Sequence, residues 1–143
     1  NPWNFNSKKG GMVLTSLGGP LSNFLMAFLA EIGVVALGSM TFASNAGFSF
    51  QLATVCYMLC RYMVMINLGL GMFNLIPIPP LDGSKILNAL LPARIYFKIM
   101  EYERYGFIVL ILLINLPIFN ELLFRGESAI MAFYDMIIGT FIH

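Results

Sequence analysis

The chain is poor in charge. Lys, Arg, Asp and Glu make up 10% of its 143 residues, against 59% hydrophobic residues and a mean hydropathy of +0.82. A soluble domain carries about a quarter charged residues, so this composition cannot cover a water-facing surface and lipid has to cover it. The net charge of +1 gives no electrostatic case for nucleic acid. Cysteine is scarce too. Cys56 and Cys60 stand one helical turn apart in an apolar run, which suits two buried thiols better than a disulfide framework. No secretory leader is expected, because the opening residues are polar and no short apolar core precedes a small-residue cleavage site. Internal repeats and low-complexity tracts are absent. The length suits a single membrane domain, residues 1–143, with no second domain.

What the sequence does have is long apolar runs, and a membrane-crossing helix needs about 20 such residues. Met12–Met40 is divided by Gly18-Gly19-Pro20. Proline is tolerated in a first helical turn but disrupts an interior. The principal span is therefore expected at about Pro20–Met40, with Met12–Gly19 as a lead-in or kinked extension. The second run, Gln51–Ile76, stops at Pro77-Ile78-Pro79-Pro80, where the chain is expected to become extended. A third, about Tyr105–Phe119, is short and interrupted by Pro117. A fourth, about Ser128–Ile142, is short enough to be re-entrant or interfacial. Between Ser84 and Arg104, Ile86, Leu87, Leu90 and Leu91 fit one helical face, and Lys85, Arg94, Lys98 and Arg104 supply charge. That pattern predicts an interfacial helix ending near Pro92, then a polar-aromatic stretch. The expected fold class is all-α: a polytopic transmembrane bundle of three or four helices, entered by a Pro-rich extended segment.

Basic residues orient such a chain. Lys8 and Lys9 precede the first span and Lys85, Arg94, Lys98 and Arg104 follow the second, while Thr41–Phe50 has no charge. The Lys8 and Asp82 sides are thus both expected on the cytosolic face.

Chemistry concentrates in Asn74-Leu75-Ile76-Pro77-Ile78-Pro79-Pro80-Leu81-Asp82-Gly83. Non-helical chain at membrane depth survives only inside protein or around a wet cavity. Here it delivers a carboxylate, and ionisable groups in such places are functional suspects. Two readings stand open on these residues alone: Asp82 serves function, or it caps a helix beginning at Ser84. Glu31 and Arg61 are the other charges read inside the spans. Glu31 precedes Met40 by nine residues and Arg61 follows Gln51 by ten. Matched depths would allow an interhelical ion pair; otherwise each snorkels or faces a polar cavity. Gly69-Leu70-Gly71 has no strand–turn–helix context, so it reads as close helix packing, not as a nucleotide fingerprint.

The sequence resembles the site-2 protease family of intramembrane zinc metalloproteases, in its compact bacterial branch. Asn74, Pro77 and Asp82-Gly83 match the family's N-x-x-P…L-D-G segment. Gly19-Pro20-Leu21-Ser22-Asn23 is similar to its G-P-x-x-N helix start, and Asn1-Pro2-Trp3-Asn4-Phe5 to its N-P-x-x-F stretch. The three elements come in the family's order and cover about Asn1–Arg104. The resemblance implies Asp82 as the third protein ligand to zinc. It implies Asn74 near the substrate carbonyl, where the alternative is that it satisfies backbone freed by the proline break. Asn23 reads as a polar contact between helices.

One departure is large. The family's other two ligands lie in an H-E-x-x-H helix whose glutamate activates zinc-bound water. This sequence has a single histidine, His143, and no such motif. Catalytic zinc keeps three protein ligands, so the chain alone is expected to hold no zinc and to be inactive. That helix lies upstream in the family and the chain starts without methionine, so the expectation is a portion of a longer protein. The intact protein is then expected to hydrolyse peptide bonds in transmembrane substrates. It would be a multi-pass protein of the lipid bilayer, the cell membrane if bacterial. The alternatives are a non-catalytic scaffold that lost the histidine helix, or a transporter or channel subunit with Glu31, Arg61 and Asp82 along a polar path.

The orientation is directly testable. Single cysteines at Ser44 and Lys98, in a cysteine-free background, should label from opposite membrane faces. Labelling from one face would remove the two-span reading.

Overall fold

The computed structural model describes residues 2–43, 47–92, 95, 98–99 and 101–142. Asn1, residues 44–46 of the Thr41–Phe50 loop, Arg94 and His143 lie outside them. The described residues form an all-α structure: α1 (Pro2–Ala43), α2 (Phe48–Asn74), α3 (Asp82–Leu90), α4 (Glu103–Ile114) and α5 (Pro117–Ile142). Two stretches are long and apolar enough to cross a membrane, Gly10–Ser39 within α1 and Phe48–Asn74. A bent pair, α4 with α5, makes a third if it counts as one span.

α1 does not begin at Pro20. It runs unbroken through Gly18-Gly19-Pro20, with Pro20 fully buried inside it. Proline removes one backbone donor, and in a membrane helix neighbouring groups can compensate. Pro20 is fully buried, and tertiary packing holds its turn. The apolar part of α1, 30 residues, is about 45 Å long at 1.5 Å per residue. That exceeds a hydrocarbon core of roughly 30 Å, so the helix has length to spare for tilt.

α1 and α2 form an antiparallel hairpin whose register is set by small residues. A side chain added at Gly38 would meet Tyr57, one at Gly33 would meet Cys60, and one at Gly71 would meet the Phe24 ring. As the α1 number falls, the α2 number rises. Between these points Ala27, Ala30 and Val34 meet Val64 and Leu68 in the core, at the three- and four-residue spacing of facing helical stripes. Lipid gives helices no hydrophobic reason to associate, so close backbone approach through small residues supplies the packing. α5 closes the core: Tyr134 packs edge-on to Phe28 at 5.1 Å and donates its hydroxyl to the Phe24 carbonyl at 2.7 Å. The large apolar side chains point outward, Leu21, Leu25 and Leu29 on α1 and Leu52, Val55 and Leu59 on α2. Thr54, Asn67, Ser128 and Thr140 each donate to the carbonyl four residues back, a local solution for polar groups that lipid cannot satisfy.

The C-terminal half differs from the expected third and fourth spans. The chain bends by 84° between α4 and α5, and Pro117 begins α5 instead of interrupting a helix. Proline fits a first helical position, and the residue before it disfavours helix. Asn120 donates to the Ile114 carbonyl across the break at 2.9 Å. α5 then continues for 26 residues through Asn120, Glu121 and Arg125, polar positions that hid it in the hydropathy. Glu121 and Arg125 pair across one turn at 2.6 Å.

The segment after α2 is non-helical, as three prolines in four residues require. It is folded into successive turns, with Ile78 N–H donating to Ile76 at 2.8 Å and Leu81 N–H to Ile78 at 3.0 Å. Glycines let other chain press against these turns: Gly83 lies on the carbonyls of Leu75 and Ile76, and Gly106 of α4 on that of Pro79. Backbone cannot move aside cheaply, so Gly83→Ala should lower the thermal midpoint in detergent, by about 1–3 kcal/mol of overpacking. Gly18→Ala, where a side chain would meet nothing within 4 Å, should leave it unchanged. Equal midpoints for the two variants would show that the turn does not need glycine.

Candidate functional site

The turns of 75–81 return the chain to α1, and Asp82 is the first residue of α3. Leu81 holds the capping position with extended backbone, and no side chain caps the helix. The cap reading of Asp82 therefore fails. The hydroxyl and N–H of Ser84, itself buried, both donate to the Leu81 carbonyl, at 2.7 and 3.1 Å.

The Asp82 carboxylate is divided between two neighbours. Its Oδ1 accepts a hydrogen bond from Lys85 Nζ at 2.8 Å. Its Oδ2 turns to α1, where a side-chain carbon built on Gly19 would lie only 2.9 Å away. Asp82 is thus half-buried at the level of Gly19, nine residues inside the apolar stretch that begins at Gly10, or about 13 Å along the helix. Two motif elements far apart in sequence meet here, Gly19-Pro20 and Asp82-Gly83. Asn74 ends α2 at the start of the same turns, half-buried. Its side-chain amide makes no hydrogen bond among the described residues, so it does not satisfy backbone freed by the prolines. Asn23 likewise makes no interhelical hydrogen bond among the described residues.

Glu31 and Arg61 do not join this site, nor do they pair with each other among the described residues. Glu31 is twelve residues beyond Gly19 on α1, about 18 Å away along the axis. It is buried, and its Oε2 has no hydrogen-bond partner in the structure. Arg61 instead lines a cavity of ≈ 700 Å³ between α2 and α5, together with Glu127 and Asp135. Glu127 lies in the polar start of α5, ahead of the Ser128–Ile142 run, whereas Asp135 lies within that run and was not weighed as an intramembrane charge.

Residues 6–116 match the profile of peptidase family M50. The chain belongs to peptidase family M50, the site-2 protease family. Among its M50 relatives, YwhC of Bacillus subtilis, named as a zinc metalloprotease, is 33% identical over 129 residues, covering 87% of this chain and 57% of YwhC. The regulator of sigma-E protease RseP of Escherichia coli is 30% identical over 89 residues, 59% of this chain and 19% of RseP. The protease eep of Enterococcus faecalis is 39% identical over 102 residues, 71% of this chain and 19% of eep. The chain therefore spans little more than half of YwhC and about a fifth of the other two. No solved structure matches it significantly.

M50 metalloproteases are zinc-dependent. Among the described residues of this chain, no three His, Cys, Asp or Glu side chains gather as a metal site. Asp82 fits the part of one ligand: its carboxylate is held, half-buried, beside a cradle that a side chain on Gly19 would fill.

The separation of Glu31 from Arg61 carries its own prediction. Exchanging the two charges should recover little more folded protein than the single reversals do, because no salt bridge joins them among the described residues. Glu31→Gln, which replaces a buried carboxylate whose Oε2 has no hydrogen-bond partner among the described residues, should not lower the thermal midpoint. A clear rescue by the double reversal would mean that the two residues act as a pair.

Proposed function

We propose that this chain forms part of the active centre of an intramembrane zinc peptidase, with Asp82 as a carboxylate ligand. The observation that carries the reading is the delivery of that carboxylate by a proline-broken turn to a bare helix wall inside an apolar span. Carboxylate oxygen suits zinc beside imidazole nitrogen. The two histidines and the glutamate base would come from an H-E-x-x-H helix outside this chain, and the chain by itself would be inactive. The substrates would be transmembrane segments of other proteins, cut at or within the bilayer, where protein walls restrict water.

Asn74 is assigned to substrate positioning. Its unengaged amide stands at the mouth of the turns that present Asp82, and a donor there could hold the scissile carbonyl. The transporter alternative loses support, since Asp82 stands at the level of Gly19, about 18 Å along α1 from Glu31. The scaffold alternative is decided by experiment.

In a longer M50 protein that carries this chain and an H-E-x-x-H helix, Asp82→Ala should abolish both zinc retention and proteolysis. Asn74→Ala should lower turnover about tenfold or more and leave zinc bound, as expected when one hydrogen-bond donor is lost. The chain alone should bind no stoichiometric zinc at micromolar free metal, because affinity rests on the ligands acting together. Zinc content and activity that survive Asp82→Ala would disprove the assignment, and a zinc-free, inactive parent would support the scaffold.

A further inference from the structure

The two sides of the Asp82 carboxylate are treated differently by the chain. On one side Lys85, one turn along α3, donates to Oδ1 at 2.8 Å. On the other, α1 offers Oδ2 a surface without a side chain, because position 19 is glycine. We propose that Lys85 and Gly19 are the positioning residues of Asp82, which fix its carboxylate so that a single oxygen remains free for a metal. The inference rests on the reading of Asp82 as a ligand.

A carboxylate can bind zinc through one oxygen or two, and an aspartate can turn about both its side-chain bonds. An ammonium bonded to Oδ1 removes much of that freedom, and a charge-assisted hydrogen bond is about twice as strong as a neutral one. Gly19 then defines where the second oxygen can go. Any side chain there would press on Oδ2 and turn the group away. The neighbouring Gly18 faces open space, so the requirement is specific to position 19 and does not come from a general need for a thin helix.

A plainer account is available. Lysine and aspartate three residues apart on a helix often pair weakly, and Lys85 is 51% exposed. That account covers Lys85 but leaves Gly19 unexplained. The Gly19 contact belongs to another helix and to another sequence element, and it confines the same carboxylate from the opposite side. Groups that hold a metal ligand in place typically affect metal affinity by about 10–100-fold, far beyond the effect of a surface ion pair.

The test uses a full-length M50 protein carrying this chain and an H-E-x-x-H helix, purified in detergent. Zinc affinity is read by competition with a chromophoric chelator, beside the thermal midpoint of the metal-free protein. Lys85→Met should weaken zinc about tenfold while moving that midpoint by no more than loss of a half-exposed ion pair does, and Lys85→Arg should restore most of the affinity. Gly19→Ala should weaken zinc similarly, and Gly18→Ala should not. If Gly19→Ala fails to fold, the exposed Lys85 position carries the test alone. Parent-like affinity in Lys85→Met, with zinc lost in Asp82→Ala, would overturn this inference and spare the ligand reading. Zinc retained in Asp82→Ala would overturn both.

Discussion

A carboxylate set inside an apolar span is the constraint around which this structure is arranged. It needs a counter-charge, a polar turn, and a wall that will not crowd it. Lys85, the turns of 75–81 and Gly19 meet those needs in order. None of them works unless α1 and α2 hold one register, because Gly19 must stand beside the point where the chain re-enters after α2. The small-residue contacts of Gly33, Gly38 and Gly71 fix that register. The hairpin core is thus part of the site's geometry, although none of its residues touches Asp82.

Proline meets three fates in this chain, and the difference lies in its surroundings. Pro20 stays inside a helix where it is fully buried. Pro77, Pro79 and Pro80 come too densely for any helix to continue, and their turn is closed by backbone bonds and covered by glycines. Pro117 takes a helix start, where its missing donor costs least. Local rules describe the last two cases well. In the first, tertiary burial overrode the local rule, and the helix ran on.

The helical fold, the first two spans, the break after Asn74 and the presence of a carboxylate there were all legible in the sequence. They depend on apolar length and on proline density, which act locally. Gly19's role was not legible, since it depends on which residue stands opposite in space. Lys85 read only as one of several link charges for the same reason. α5 was cut short because Asn120, Glu121, Arg125 and Glu127 interrupt its hydropathy, yet a Glu121–Arg125 pair and partial exposure let the helix accommodate them. Matched depth brought Glu31 and Arg61 within electrostatic reach but not into a salt bridge among the described residues, and Arg61 lines the α5 cavity.

The arrangement at Asp82 also separates folding from metal binding. In small zinc domains the metal supplies folding energy, and the ligands are not in place without it. Here the turn hydrogen bonds, the Gly83 and Gly106 contacts and the Lys85 pairing are all made by protein groups alone. The Asp82 carboxylate is already paired with the half-exposed Lys85, at 2.8 Å. A metal arriving at Oδ2 would therefore meet a group already oriented, on helices already packed. Such preorganisation is what the ligand role proposed for Asp82 would require, because each part of a shared site must hold its geometry before the others are engaged.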